Sequence, residues 1–383
     1  MPAMARRTTT FLCTGGFCLD YGLKLRIFHG PVNIAGIGRY LADWQREQGM
    51  IADAFSVSDS KIVERSHLEF RLFEYGWLTR RLLWVAVVAL AFLRYNLFHF
   101  YFGISLLPFN LDLPILKLFG KKVVMTYCGS DIRLIEIEAT RNSYAGLLKI
   151  GLDNPKFDPL KKRKMRWHRL WVDRVIAPRD LYASACAVFP KTKIEKDIWL
   201  HNTMDMRAFA PIVFETKDVP LLVHAPSEPG IKGTEYVKVA IEELRRRGMR
   251  FDFLLIEDRP HAEVQRILRD EADIVLDQFL IGGFGSLAVE GMYYGKPVVG
   301  YLIESVRAEH YPDCPIVNAT IDDLADRLAW LIAHPKEHER LGREGREFVE
   351  RHFDREKVGH QVVELYRSLW RDSSRYSRPP DEQ

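Results

Sequence analysis

The chain has 383 residues, of which 47% are hydrophobic and 28% are charged, and its formal net charge is +4. This composition excludes a largely disordered protein, and the length indicates about two globular domains. So small a net charge does not indicate a nucleic-acid partner. The five cysteines include no Cys-x-x-Cys pair. Neither a disulfide framework nor a zinc site is therefore expected, and a cytoplasmic location fits.

Strands and helices alternate along the first half. Residues 1–22 are expected to be an extension ahead of the first core strand, "LKLRIFH" at 23–29. A glycine loop containing Gly36 follows and leads into an amphipathic helix. Further strands are predicted at 97–106 and 122–133. Such alternation predicts a parallel sheet covered by helices on both faces.

The longest apolar stretch runs from Leu82 to Leu93 and is flanked by Arg80, Arg81 and Arg94. It is too short to span a bilayer, because a spanning helix needs about 20 residues. We favour a buried helix that packs beneath the first sheet. The alternative is an interfacial helix that, together with the basic run 161–169, contacts the inner membrane face and reaches a lipid-linked acceptor. The simplest interpretation of the basic run is a solvated helix face.

A second alternating set of elements follows an aperiodic segment at 205–218. Its first strands are predicted at 219–227, 251–257 and 272–278, each with a helix after it. The predicted fold class is α/β, with two Rossmann-like parallel-sheet domains that face each other across a cleft. A ligand is expected in that cleft.

Three glycines lie within four residues in the segment "LIGGFGSLAVEG", at Gly282, Gly283 and Gly285. Such a run favours neither helix nor strand. Between a strand and a helix it lets backbone N–H groups approach a phosphate, which the helix dipole also attracts. We expect the N–H groups of Gly285, Ser286 and Leu287 to bind a diphosphate. The alternative is a turn that serves only the fold.

Two charged residues stand beside predicted helix starts in this half. Lys232 opposes a helix dipole unless an anion binds there, so it predicts a phosphate contact. Glu290 lies one turn into the helix after the glycine turn, where its carboxylate can accept both hydroxyls of a ribose. Either residue can instead be an ordinary surface side chain.

The segments "GIKGTEYV" and "GGFGSLAVEGMYYGKPVVGYL" resemble the donor-binding domain of GT-B fold glycosyltransferases, specifically the family-4-like retaining group. The segment "NIAGIGRYLADWQREQG" resembles the group's N-terminal glycine loop, and "CGSDIR" resembles a loop that faces the cleft. The resemblance covers about residues 23–372. It implies an acceptor-side domain at 23–212, a donor domain at 213–355, a helix that crosses back to the first domain at 356–372, and a disordered tail at 373–383.

The resemblance implies transfer of a sugar from a nucleotide-diphosphate sugar to an acceptor hydroxyl, with retention of configuration, in glycan, polysaccharide or glycolipid synthesis. Lys232 would contact the diphosphate and Glu290 the ribose, while the Gly36 loop would close over the donor. Gly283 and Phe284 belong to the same donor loop. We expect no metal and no other cofactor, because no Asp-x-Asp motif stands in the cleft strands. The partners would be the donor and a glycan or lipid-linked acceptor.

Three positions depart from the pattern of that group. Gly282 stands where the group has the first glutamate of a Glu-x7-Glu pair, and Ser227 stands where it commonly has an arginine. Ser227 remains a candidate donor contact, but one phosphate cation is missing, and Arg39, Arg133 or Arg259 could replace it. The third departure is Cys128, which replaces a histidine.

The group that deprotonates the acceptor is open. The departing phosphate is the first candidate, and Asp131 is the second because of its place in the loop that faces the cleft. The alternative for Asp131 is an N-cap or an ion-pair partner. Two other functions stay open: a catalytically silent nucleotide-binding partner subunit, which the departures at positions 282 and 227 suggest, and a GT-B sugar-nucleotide epimerase.

Overall fold

A computed structural model of the chain describes residues 24–34, 36–56, 67–69, 76–200 and 217–375. The predicted N-terminal extension and the predicted boundary between residues 212 and 213 lie outside these residues. Strands and helices alternate through both halves, as the sequence predicts.

The first half forms one parallel sheet of seven described strands. In chain order these are β1 (Arg26–His29), β2 (Ile51–Ser56), β3 (Leu68–Glu69), β4 (Leu97–Tyr101), β5 (Lys122–Thr126), β6 (Arg174–Ile176) and β7 (Ile194–Glu195). Their order across the sheet is β3-β2-β1-β4-β5-β6-β7. The strand order therefore reverses between β1 and β4, where Ile27 pairs with Leu97.

Six described helices accompany this sheet. They are α1 (Ile37–Glu47), α2 (Trp77–Arg94), α3 (Asp112–Leu118), α4 (Ile135–Glu138), α5 (Asp158–Trp171) and α6 (Tyr182–Cys186). Strands β4 and β5 are shorter than predicted and end at Tyr101 and Thr126. The chain leaves the sheet there, because Phe102 and Gly129 take positive φ angles and begin loops at its carboxyl edge.

The second half forms a parallel sheet of five described strands in the order β12-β11-β10-β8-β9. These are β8 (Leu221–His224), β9 (Asp252–Leu255), β10 (Ile274–Leu276), β11 (Val298–Gly300) and β12 (Val317–Asn318). The helices are α7 (Pro229–Lys232), α8 (Thr234–Arg246), α9 (His261–Asp270), α10 (Ser286–Tyr293), α11 (Glu304–His310), α12 (Leu324–Ala333), α13 (Lys336–His352) and α14 (Arg355–Arg375). This order reverses between β8 and β10. The chain is thus α/β with two parallel sheets, as expected.

The last helix, α14, packs on the first domain. The hydroxyl of Tyr366 lies 2.5 Å from Nδ1 of the buried His99 in β4, and Trp44 in α1 donates its indole N–H to Glu356 at 2.9 Å. The helix begins at Arg355 and continues to Arg375. Residues 373–375 are therefore helical, and the predicted disordered tail at 373–383 is wrong for these three residues.

Helix α2 contains the apolar stretch and packs on the first domain through one side only. Its one fully buried residue is Ala91. Leu82, Val85, Leu90 and Leu93 are 64% to 78% exposed. The favoured burial beneath the sheet is therefore wrong for this face of the helix. Among the described residues, no helix is long and apolar enough to cross a membrane.

The basic run in α5 is not a uniformly solvated face. Lys161 is buried and lies 3.0 Å from the carboxylate of Asp158, and Met165 and His168 are buried beside it. Arg163 and Arg166 are exposed. The helix therefore turns one side of the run into the core, and only the other side faces solvent.

Candidate functional site

A cavity of about 270 Å³ lies between the two domains. Its second-domain wall consists of the loops that follow β8 and β10, the two strands between which the strand order reverses. Its first-domain wall consists of the loops that follow β5 and β6. Ligands of open α/β sheets bind outside the carboxyl ends of strands at such reversal points. The cavity is therefore where the fold itself places a binding site.

Lys232, the last residue of α7, reaches this cavity. Its ammonium group donates a hydrogen bond to the side-chain oxygen of Gln278 and lies near Asp277. Burial lowers the pKa of Lys232, and burial raises the pKa of Asp277. Lys232 ends α7 and directly precedes Gly233, the N-cap of α8, so in the structure it stands just outside the start of α8 and not within it.

A side chain is disfavoured at each of the three glycines in this turn, for a different reason at each position. Gly282 has a φ angle of +76°, and a Cβ there would lie 2.4 Å from Ile303. A Cβ at Gly283 would lie 2.5 Å from a carboxylate oxygen of Asp180 in the first domain, so Gly283 allows the domains to approach. A Cβ at Gly285 would lie 2.8 Å from Nζ of Lys232.

The predicted phosphate contacts at this turn divide into two groups. The N–H of Gly285 donates to Asp277 at 2.6 Å, so a carboxylate already occupies it. Among the described residues, neither the N–H of Ser286 nor that of Leu287 has a hydrogen-bond partner. Phe284, Gly285 and Ser286 line the cavity. Two backbone donors therefore stand at the N-terminus of α10, beside Lys232.

Glu290 lies one turn further along α10 and is buried. Its carboxylate lies 2.6 Å from Nε2 of His261, at the start of α9. Glu290 is not among the residues that line the cavity, whereas its neighbour Val289 is. The surface-residue alternative is therefore wrong. His261 was not singled out from the sequence, because its partner is 29 residues away.

Asp131 stabilises the loop after β5, which forms part of the first-domain wall. Its carboxylate accepts the N–H groups of Cys128 at 3.0 Å and Gly129 at 2.8 Å. Burial raises the pKa of Asp131 to about 6. Cys128, Gly129 and Ser130 line the cavity, whereas Asp131 points back into its own loop. The geometry favours the capping alternative over the base. Burial also raises the pKa of Cys128, which stays a thiol.

Cations on the first-domain wall face Lys232 across the cavity. Arg133 lines the cavity and pairs with Asp153 at 2.8 Å. Arg179 also lines it and lies 4.5 Å above the ring of Trp199. Ser227, which stands where the resembling group has an arginine, is exposed and lines the same cavity.

Of the three arginines considered as replacements, only Arg133 is at this cavity. Arg39 pairs with Asp43, and Arg259 pairs with Glu263. The sequence does not predict Arg179 and Trp199, because they share a cavity with Lys232 only when the two domains meet. It does not predict Gln278, because its contact with Lys232 joins two residues that are 46 positions apart.

Gly36 is not among the residues that line this cavity. It has a φ angle of +72° and precedes α1, with the ring of Tyr40 close to its Cα. The predicted closure of its loop over the donor stays a prediction. Among the described residues, no group of three or more histidine, cysteine or acidic side chains could hold a metal ion.

Comparisons with known proteins identify the fold. No family model matches the chain. A trehalose synthase from Pyrococcus horikoshii is 22% identical over 221 residues, which are 56% of this chain and 52% of that protein. The match thus spans about half the length of that relative.

Solved structures match over the whole fold. Sucrose-phosphate synthase from Thermosynechococcus elongatus aligns with a TM-score of 0.63 and 17% identity over 91% of this chain and 100% of that chain. Anabaena HepE, solved in complex with UDP-glucose, aligns with a TM-score of 0.58 and 14% identity over 89% and 99%. The chain therefore has the GT-B fold of these glycosyltransferases, as the sequence motifs predict.

A structure assigned as a UDP-N-acetylglucosamine 2-epimerase from Listeria monocytogenes also aligns, with a TM-score of 0.50 and 11% identity over 91% of this chain and 98% of that chain. The fold alone therefore does not separate glycosyl transfer from epimerisation.

Proposed function

We propose that this chain is a glycosyltransferase that moves a sugar from a nucleoside-diphosphate sugar to an acceptor hydroxyl. The observation that carries the proposal is that Lys232 and Ser286, whose backbone N–H has no partner among the described residues, line one cavity together with Arg133 and Arg179. Such donors stabilise a leaving diphosphate, whose negative charge grows in the transition state.

In the proposed reaction, the bond between the anomeric carbon and the diphosphate oxygen breaks, and a bond to the acceptor oxygen forms. The acceptor proton passes to the departing diphosphate. Lys232 holds the diphosphate as a compact cation, and Gln278 fixes the direction of the ammonium group. Asp131 positions the opposite loop and is not the base in this scheme, because its carboxylate already accepts two backbone N–H groups.

Glu290 is proposed to accept the ribose hydroxyls. It would exchange the contact with His261 for the ribose, or share the carboxylate between the two, since a carboxylate has two oxygens and about four acceptor positions. Retention of configuration and a role in glycan, polysaccharide or glycolipid synthesis are part of the proposal and rest on the resemblance to the family-4-like group. Independence of metal is proposed because no Asp-x-Asp motif stands in the cleft strands. A cytoplasmic location is proposed from the cysteines, which include no Cys-x-x-Cys pair, and contact with the inner membrane face from the apolar stretch of α2 and the basic run 161–169.

The rival functions differ in what they leave in solution. A silent partner subunit binds the nucleotide without turnover, and an epimerase changes the sugar without an acceptor. The cations on both walls favour an active enzyme over a silent subunit, because a subunit that only binds nucleotide has no need to surround the diphosphate.

The test begins with thermal stabilisation by UDP-, GDP-, dTDP- and ADP-sugars. Ligand at 100 times its dissociation constant is expected to add about 2.7 kcal/mol of stability. The nucleotide that stabilises is then followed by chromatography with and without a pool of hydroxyl acceptors. Nucleoside diphosphate released only with acceptor supports transfer. A modified sugar nucleotide without acceptor supports the epimerase, and binding without either product supports the silent subunit.

A further inference from the structure

A second cavity, of about 1250 Å³, lies on the first domain. The loops that follow β1 and β4 form its floor, and helices α2 and α5 form its sides. Because the strand order of the first sheet reverses between β1 and β4, the cavity lies at the reversal point of that sheet. This is the position where open α/β sheets bind ligands. We call it the apolar chamber, and the proposed donor site does not use it.

The lining of the chamber suits a hydrocarbon chain and not a sugar. It is larger than the roughly 300–1,000 Å³ of ordinary small-molecule sites. The indole N–H groups of its two tryptophans are already bonded within the protein. The indole N–H of Trp84 donates to the carbonyl of Leu106 at 2.9 Å, and that of Trp167 donates to the carbonyl of Asn110 at 3.1 Å. The surfaces that remain for a ligand are aromatic rings and aliphatic side chains.

Four cations also line the chamber, and none of the described lining residues is acidic. They are Arg80, Arg81, Arg163 and Lys164. Arg163 is exposed and has no hydrogen-bond or ion-pair partner among the described residues. An apolar chamber with an unbalanced positive lining is complementary to a molecule with a hydrocarbon chain and an anionic group.

The surface around the chamber is unusually apolar for a protein in water. Phe109 on its wall is 89% exposed, and on α2 Leu82 and Val85 are 64% and 65% exposed. Soluble monomers rarely expose contiguous apolar patches of this kind unless something binds there. A bilayer surface covers such a patch and at the same time supplies the lipid that fills the chamber.

The chamber and the donor cavity share one edge of the first sheet. The loops after β1 and β4 line the chamber, and the next loop, after β5, lines the donor cavity through Cys128, Gly129 and Ser130. A headgroup held at the chamber mouth would therefore lie close to the donor sugar. We propose that the apolar chamber binds the hydrocarbon chain of an anionic lipid acceptor, presented by a bilayer, with its anionic group on the arginines. This inference rests on the proposed glycosyl transfer.

The first test is flotation of the full-length protein with phosphatidylcholine vesicles, with and without phosphatidylglycerol. We expect binding only to the anionic vesicles. Val85→Asp places a charge in the chamber and is expected to lower the bound fraction by about tenfold or more. The matched control is Val239→Asp, because Val239 on α8 is 68% exposed and Val85 is 65% exposed. This control should float like the unmodified protein.

A second pair of variants tests the charge. Arg163→Gln is expected to lower the vesicle partition coefficient about fivefold, since one cation near an anionic surface contributes about that much. Arg250→Gln, another exposed arginine without a partner among the described residues, should have no effect. Equal losses in both variants would indicate a general charge effect and would overturn the assignment to the chamber.

Insertion of the lipid chain is tested by tryptophan fluorescence with phosphatidylglycerol brominated on its acyl chains. Quenching should fall when Trp84 or Trp167 is replaced by phenylalanine and should not fall when Trp330 is replaced. Phe109→Asn is a second chamber variant that preserves the fold, because asparagine accepts the positive φ of 57° at this position. It should weaken flotation as Val85→Asp does.

Two results separate this proposal from the proposed function. If the unmodified protein is stabilised by a nucleotide sugar but does not float with anionic vesicles at low salt, the lipid proposal is wrong and the transfer proposal stands. If it floats but no nucleotide sugar stabilises it, the donor site is wrong and only a lipid-binding surface remains.

Discussion

At the scale of single residues, the donor site is a small polar cluster centred on Lys232. Asp277 receives the N–H of Gly285 on one oxygen, and its other oxygen is buried without a partner. Gln278 accepts from Lys232 and donates to the carbonyl of Gly283 at 2.6 Å. The two residues that follow strand β10 thus hold both the lysine and the glycine turn. We expect them to keep the cationic group in place before the donor arrives.

Lys232→Ala is predicted to lower kcat by about 10² to 10³, which corresponds to roughly 3–4 kcal/mol of lost leaving-group stabilisation. Steady-state kinetics with the stabilising nucleotide sugar measures this effect. Lys238→Ala, an exposed lysine that pairs with Glu235 on α8, is the control and should leave kcat unchanged. Equal kcat values for the Lys232 variant and the unmodified protein would remove Lys232 from the mechanism.

Glu290→Gln is predicted to weaken nucleotide binding by about 1.5–3 kcal/mol, because a hydrogen bond to a charged group contributes about this much. The comparison ligand is the 2′-deoxynucleotide, which lacks one ribose hydroxyl. Calorimetric titration should show that Glu290→Gln changes the binding free energy of the deoxy ligand less than that of the ribonucleotide. An identical difference with both ligands would mean that Glu290 acts through His261 and not on the ribose.

The raised pKa of Asp131 predicts how the stability of the protein changes with pH. Burial raises its pKa from 3.8 to about 6, so the folded chain holds this proton more tightly than the unfolded chain does. The stabilising contribution is fully present below pH 4 and is lost as the pH rises through 6, with a total of about 3 kcal/mol. Relative to the unmodified protein, Asp131→Asn should therefore gain stability between pH 4 and pH 7 in urea unfolding. A pH-independent difference would contradict the burial of the carboxylate.

At the scale of elements, the glycines of the turn before α10 serve two purposes. One allows a backbone angle that other residues disfavour, and another leaves room for the side chain that is proposed to bind the ligand. Gly285 has an ordinary φ of −99°, and its absent side chain leaves room for Lys232. Gly282 has a positive φ and contacts Ile303. The glutamate of the resembling group therefore cannot be restored at position 282 by one substitution, because the backbone there disfavours any side chain.

Gly285→Ala and Gly282→Ala are predicted to have opposite effects. Gly285→Ala should abolish the thermal shift with nucleotide sugars and cost little stability, since the two atoms it displaces, Nζ of Lys232 and a carboxylate oxygen of Asp277, are both at the ends of side chains. Gly282→Ala should cost about 1–2 kcal/mol from the backbone alone. Urea unfolding and thermal shift on the same two proteins measure both quantities. If the two variants behave alike, the separate roles given to these glycines are wrong.

At the scale of the whole molecule, α14 ties the end of the chain to the first domain. Tyr366→Phe would leave Nδ1 of the buried His99 without a partner, and it should lower the free energy of unfolding by about 1–3 kcal/mol. Tyr144→Phe, which removes an exposed hydrogen bond to Asp322, should cost less than about 1 kcal/mol. Urea unfolding compares the two, and equal costs would contradict a structural role for the α14 contact.

The sequence predicted the two α/β halves, the glycine turn and Lys232, because each is encoded within a short segment. Alternating apolar segments predict the sheets, and a glycine run beside a helix start predicts a turn for phosphate. Residues brought in by tertiary contact were missed. Arg179 and Trp199 share a cavity with Lys232 only across the domain interface, and His261 contacts Glu290 through the packing of two helices.

Helix α2 shows a second limit of sequence reasoning. Its composition is apolar along its whole length, so the sequence alone cannot say which side faces the core. In the structure the other side is exposed beside the apolar chamber. The extent of strands β4 and β5 was overestimated for a similar reason, since apolar residues continue into the loops that form the cavity walls.

The most direct measurement of the donor site is a crystal structure with UDP, or with whichever nucleoside diphosphate gives the largest thermal shift. The proposed function predicts the diphosphate at the carboxyl ends of β8 and β10, with one phosphate oxygen hydrogen-bonded to Nζ of Lys232 and another to the N–H of Ser286. A diphosphate bound elsewhere, with the Asp277, Gln278 and Lys232 cluster unchanged, would contradict the proposal and leave the glycine turn as part of the scaffold.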